Sequence, residues 1–231
     1  MSLCQPNGCN ISCGSCCGFF NLDLSREQYK TLLFERTTYF ESHVDFNIAH
    51  TIPAYRQARE KIENQFPKKD ESTYNCPFLG YLDIQTQTKF GCMIHPARTG
   101  DPKSQNYSFY GSSICLGYEC KNMENSSSAN WEGLFTIVAK DSIEYSQLAA
   151  NYILIRKIES FFNLRKIPTI EIFTKYKDLT IEFLRNSLSD QKNLTSFEVD
   201  YDNYESEEDV IQWLIDHKII VNLENALDRM K

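Results

Sequence analysis

Histidine is scarce in this chain: there are four, and His43, His50 and His217 stand in no ligand-like spacing. They read as surface or hydrogen-bonded core positions. A basic excess is also missing. Lys and Arg number 24 against 31 Asp and Glu, a net charge of −7. That removes the positive footprint on which non-specific nucleic-acid binding depends, so no nucleic-acid partner is expected. Long apolar runs are absent too. Residues 149–155 form the most apolar stretch, broken by Asn151 and closed by Arg156 and Lys157. A bilayer span takes about 20 apolar residues, so no membrane association is expected. The opening Met-Ser-Leu-Cys carries neither the charged nor the apolar part of a secretory leader. A cytoplasmic, reducing compartment is therefore the expectation. No stretch repeats at a fixed period, which excludes solenoid and propeller architectures.

Cysteine is missing after residue 120 and concentrated before it. Cys9, Cys13, Cys16 and Cys17 form a tight knot, Cys76, Cys92, Cys115 and Cys120 a looser second set, and Cys4 stands outside both. At 231 residues the chain has room for one large domain or two small ones. The asymmetry points to two: a cysteine-bearing part over 1–125 and a helical part over 126–231, divided in the polar stretch 121–130. The expected fold class is α+β but mostly helical, with a metal-stapled N-terminal part containing a small β-hairpin and a helical C-terminal part.

Local patterns fill in this frame. Residues 1–21 read as a loop and 19–24 as a short strand. Ser25 and Gln28 have the spacing of a capping box. The helix they open should turn Tyr29, Leu32, Leu33 and Tyr39 or Phe40 inward. A second helix begins at Pro53 and ends before Pro67. A hairpin follows, with strands at 81–84 and 89–94 around a polar turn, and 96–111 reads as loop. Asp141 or Ser142 should cap a helix reaching Phe162, with Leu148, Tyr152, Ile155, Ile158 and Phe162 on its apolar face. Pro168 should open a helix reaching Leu188. Ser206 should cap another that buries Val210, Trp213 and Leu214, and a short helix from Leu223 closes the chain. Residues 196–209 hold seven acids and no base; they read as a solvated linker or as a docking site for a basic protein partner.

In a reducing compartment, clustered cysteines serve metals or redox chemistry more often than disulfides. Cys13 and Cys16 are at a chelating spacing, and Cys9 can join the same ion. The neighbours Cys16 and Cys17 should point apart and serve two adjacent sites. With Cys76, Cys92, Cys115 and Cys120 the count reaches eight thiols, enough for two four-ligand sites. Thiolates suit one or two Zn2+ ions, or alternatively iron or a [4Fe-4S] cluster. Two other matches are weaker. The Cys9, Cys13, Cys16 spacing fits a radical SAM cluster, but Ser15 stands where that motif has an aromatic. Cys92 to Thr99 fits a cysteine phosphatase loop, but Pro96 removes an amide donor and Gly91 replaces its preceding histidine.

The segments Cys13-Gly-Ser-Cys16-Cys17-Gly-Phe-Phe20, Cys76-Pro-Phe-Leu79, Gly91-Cys92-Met-Ile94 and Cys115-x-x-Tyr118-x-Cys120 resemble the YkgJ-like cysteine-cluster family. Its members are described as zinc- or iron-chelating proteins related to a flagellin lysine N-methylase. The likeness spans residues 9–120, about half the chain. The family carries Arg-Pro after its sixth cysteine, where this chain has His95-Pro96. The resemblance implies metal binding by the eight cysteines. It also implies an alternative role as an iron–sulfur protein in electron transfer or protein modification. It supplies no substrate and no catalytic residue. His95, three positions after Cys92, is at ligand spacing; it reads first as a residue beside the ligands or on the surface, with a ligand role as the alternative.

Overall fold

The computed structural model describes residues 3–6, 8–188 and 206–230. Ser25 and Gln28 form the reciprocal cap: the Gln28 amide donates to Ser25 Oγ (3.4 Å) and the Ser25 amide to Gln28 Oε1 (2.8 Å). Helix α1 (Arg26–His43) buries Tyr29, Leu32, Leu33 and Phe40. The same face also buries Arg36 and Thr37, polar residues that an apolar pattern does not mark. Helix α2 (Thr51–Glu63) holds Pro53 in its first turn, where a missing amide costs no helical bond.

A buried ion cluster joins these helices to the hairpin. The Arg36 guanidinium grips the Glu63 carboxylate, with Nε to Oε1 at 2.9 Å, and donates to the Leu79 carbonyl (3.2 Å). Arg59 and Asn75 donate to the same carboxylate at 3.0 and 3.1 Å. Burial alone would push Glu63 up, but Arg36 and then Arg59 outweigh it and hold the acid below its ordinary 4.5.

Strands β1 (Leu79–Tyr81) and β2 (Phe90–Cys92) pair antiparallel, with Gly80 opposite Gly91. Both are shorter than the spacing predicts, and the first lies earlier. The Asp83 carboxylate accepts from the Gln85 amide and the Thr86 hydroxyl, each at 2.9 Å, and bends the chain just past Tyr81. The expected strand at 19–24 is instead a 3-10 turn (Phe19–Asn21) and a single bridge from Leu22 to Lys68. Gly18, at φ 75°, turns the chain out of extended geometry there. The expected loop at 96–111 contains helix α3 (Pro96–Thr99) and a 3-10 turn (Ser104–Tyr107). Helices α4 (Gly111–Gly117) and α5 (Lys121–Glu124) carry the chain to the second half.

Helices α6 (Ser128–Val138), α7 (Ser142–Ala150), α8 (Tyr152–Asn163), α9 (Thr169–Phe173), α10 (Lys177–Ser187), α11 (Glu207–Asp216) and α12 (Leu223–Asp228) follow. The single helix expected from Asp141 to Phe162 is two. The Asn151 side chain accepts from the Leu154 amide (3.0 Å) and starts α8 afresh. The helix expected from Pro168 to Leu188 is also two, because the Thr174 and Tyr176 amides both turn back to the Glu171 carbonyl. Ser206 caps α11 with Asp209; Val210 and Leu214 are buried, and Trp213 is half-buried against His217. Of the acidic stretch 196–209, residues 196–205 lie outside the described residues, and Glu207, Glu208 and Asp209 form the first turn of α11.

The fold is thus α+β and mostly helical, with one two-stranded sheet among the described residues. One large core lies within α6 to α12 and takes in Leu3 from the N-terminal arm. Two smaller clusters pack around Phe19 and Leu33, with Ile143 of α7, and around Tyr55 and Phe78, with Cys76. No helix among the described residues is long and apolar enough to cross a membrane.

Candidate metal centre

Serine hydroxyls pin the cysteine arm between the hairpin and α7. Ser12 Oγ accepts from the Phe90 amide (3.1 Å), and the Ser12 amide donates to Ser142 Oγ (3.0 Å). One helical turn on, Ser146 Oγ accepts from the Gly14 amide (3.0 Å), and Ser15 Oγ donates to the Ser146 carbonyl (3.2 Å). Held this way, the chain makes a 3-10 turn over Ser15–Cys17. Gly18 then lets residues 74–76 close on the knot. A Cβ at Gly18 would sit 2.0 Å from the Tyr74 carbonyl oxygen, and the Cys76 amide donates to the Cys17 carbonyl at 2.8 Å. The 58 residues between Cys17 and Cys76 thereby return to their starting point.

The thiols fall into two neighbouring groups. Cys13, Cys16 and Cys120 line a cavity of about 50 Å3 together with Cys4, Tyr118 and Met123. Cys17 and Cys92 pack against the apolar cluster that contains Cys76, whose amide donates to the Cys17 carbonyl. The adjacent Cys16 and Cys17 thiols interact, which lowers the Cys16 pKa and raises that of Cys17. The Cys16 charge also raises Cys13, Cys92, Cys115 and Cys120.

Most of these thiols are held neutral. Desolvation first, then Cys4 and Cys16, pushes Cys13 well above its ordinary 9.0. Desolvation and then Cys92 does the same to Cys76, and the Arg36 cation only partly opposes it. Cys92 is pushed up to about 11 by burial, although the Ile94 amide and the Gln105 side chain favour its thiolate. Cys115 and Cys120 are also raised, chiefly by burial. No three His, Cys, Asp or Glu side chains among the described residues are arranged to hold a metal ion as they stand.

The remaining predicted residues lie less centrally. Cys9 is half-buried on the arm after Gly8 and is not part of the cavity lining. His95 is exposed, and its Nδ1 accepts from the Ala97 amide (3.1 Å), capping α3. Cys115 is exposed on α4, a helix with no buried residue. Its Sγ lies 3.5 Å from Ser108 Oγ.

Cys4, Met123 and the α7 serines are what sequence reading missed here. Cys4 lacks a chelating partner nearby in sequence, and Ser142 and Ser146 look like ordinary polar helix positions. Their one signal is the four-residue spacing that puts two hydroxyls on one helix face. No family model, curated protein or solved structure matches this chain.

Proposed function

We propose that this protein is a thiolate zinc-binding protein with two adjacent sites, one completed by Cys13, Cys16 and Cys120 and the other formed by Cys17, Cys76, Cys92 and Cys115. The observations that carry this reading are that Cys13, Cys16 and Cys120 line one cavity and that Cys17, Cys76 and Cys92 pack together next to it, with the Cys76 amide on the Cys17 carbonyl. Packing gives no reason for so many thiols to meet, since a small buried hydrophobe would serve as well. An all-sulfur donor set suits zinc in a closed, structural site. Zinc would displace the thiol protons and draw the sulfurs to bond lengths of about 2.3 Å, so affinity should rise with pH.

The role of such a centre is to fasten. The second site would tie the knot, the hairpin and α4 together, and the first would tie the N-terminal arm to α5. The proposal places the protein in the cytoplasm, where thiols stay reduced. Elemental analysis and a visible spectrum of anaerobically purified full chain test it. About two zinc ions per chain and no visible colour are expected. A protein free of bound metal under those conditions would sink the reading. A coloured, reducible centre would replace it with the iron–sulfur one.

A further inference from the structure

We infer that Cys4, rather than Cys9, supplies the fourth thiolate of the first metal site, making that site Cys4, Cys13, Cys16 and Cys120. The inference rests on the zinc-binding reading above and specifies one of its ligands.

Three contacts fix Cys4 in place. The Cys13 amide donates to the Cys4 carbonyl at 3.0 Å. This sets residues 4 and 13 side by side. Leu3, only 3% exposed, is inserted into the large helical core, and its carbonyl accepts from the Tyr145 hydroxyl (3.0 Å). The Cys4 thiol itself donates to Met123 Sδ at 3.7 Å, and Met123 lies on α5, three residues after Cys120. Cys4 therefore reaches the cavity with a neighbour on each side.

The cavity wall records the outcome. It contains Cys4, Cys13, Cys16 and Cys120, and not Cys9. Four thiols on one wall are the donor count of a single tetrahedral thiolate site. Cys9 has the better sequence spacing to Cys13, but it is not part of the cavity wall. On binding, zinc takes the place of the Cys4 proton, which leaves to solvent, and the bond to Met123 is exchanged for one to the metal.

The test measures zinc per chain, and cobalt absorption after exchange, in the full-length protein and in Cys4→Ala and Cys9→Ala. Both changes fall on the arm outside the cores, so neither should prevent folding; circular dichroism checks that. Cys4→Ala should lose about one metal equivalent. Failing that, it should bind its first-site ion at least about 100-fold more weakly, beyond the roughly 10–100-fold cost of losing a residue that only supports a ligand. It should also lose part of the tetrahedral cobalt band. Cys9→Ala should keep both ions and the full band. Loss in Cys9→Ala, with or without loss in Cys4→Ala, overturns the assignment, as does full retention in both. A wild-type chain without metal removes the zinc reading itself, and this inference with it. Retention of both ions at wild-type affinity in Cys4→Ala removes this inference alone.

Discussion

Helices α6 to α12 enclose one continuous apolar core around Ile155, Phe161 and Leu184, all fully buried. Residues 8–120 are held differently, by two small apolar clusters, the Arg36–Glu63–Arg59 ion cluster and hydrogen bonds from serine hydroxyls. The second half can rely on non-directional burial at roughly 25 cal/mol per Å2. The first half relies on directional contacts, each of which fails if one partner moves. Helix α4 shows the extreme: it buries nothing, while Ile114 and Leu116 on it are 50% and 56% exposed. Hydrogen bonds hold its start, from the Gly111 amide to Ser108 Oγ and from the Ser112 amide to Asn106 Oδ1.

Removing metal should separate the two halves most sharply. Structural zinc contributes on the order of 10–16 kcal/mol in small peptides, against a total stability of about 5–15 kcal/mol for a typical domain. With a strong chelator, residues 109–120 should lose amide protection first. The cysteine half should then become protease-sensitive while α6 to α10 stay helical. An unchanged digestion pattern after full demetallation would refute this.

Matched core substitutions sharpen the contrast. Phe161→Ala should cost about 3–5 kcal/mol through a cavity, and Glu63→Ala about 3–5 kcal/mol by leaving buried Arg36 unpaired. The two should differ in metal content: Phe161→Ala keeps it, and Glu63→Ala weakens the site that contains Cys76. Acid should pick out the same region. Glu63 gives up its proton more readily folded than unfolded, so its contribution is complete above about 4.5 and fades as pH falls below that. Metal-free protein titrated downward should lose structure around α1 and α2 before the helical core melts. A Glu63→Gln variant should no longer show that early loss.

Gly18→Ala tests the hinge between knot and hairpin. The left-handed backbone alone costs about 1–2 kcal/mol for a non-glycine residue, before the clash with the Tyr74 carbonyl is counted. Metal analysis should show the second site weakened and the first intact; equal loss at both sites would mean that Gly18 does not act through Cys76. The smallest effect belongs to Asn151→Ala, which removes the α8 cap for about 1 kcal/mol. Thermal melting should shift modestly, with metal content unchanged.

The sequence shows most clearly those features that depend on a few adjacent residues. The capping boxes at Ser25 and Ser206, and the buried stripes of α1 and α8, all follow from hydroxyl chemistry or helical period. Boundaries fared worse where a polar residue had two uses. Asn151 reads as an interruption inside one helix and is in fact the cap of a second. Asp83 reads as part of a strand and makes the turn that ends it. Arg36 went unmarked by the apolar pattern and is buried, because its partner Glu63 lies on another helix.

By itself the sequence determined the chemistry available and its rough placement: thiols confined to the first 120 residues, a helical half without them, and a net negative charge. It also determined the local closures, since a cap or a helical face is decided within about four residues. Only the tertiary structure decided which thiols share a cavity. Cys4 comes beside Cys120 because Leu3 enters the core of the far half and Tyr145 holds its carbonyl. Cys17 comes beside Cys76 because Gly18 admits the Tyr74 carbonyl. These pairings depend on shape and hydrogen bonding between segments distant in the chain, and residue spacing carries no record of either.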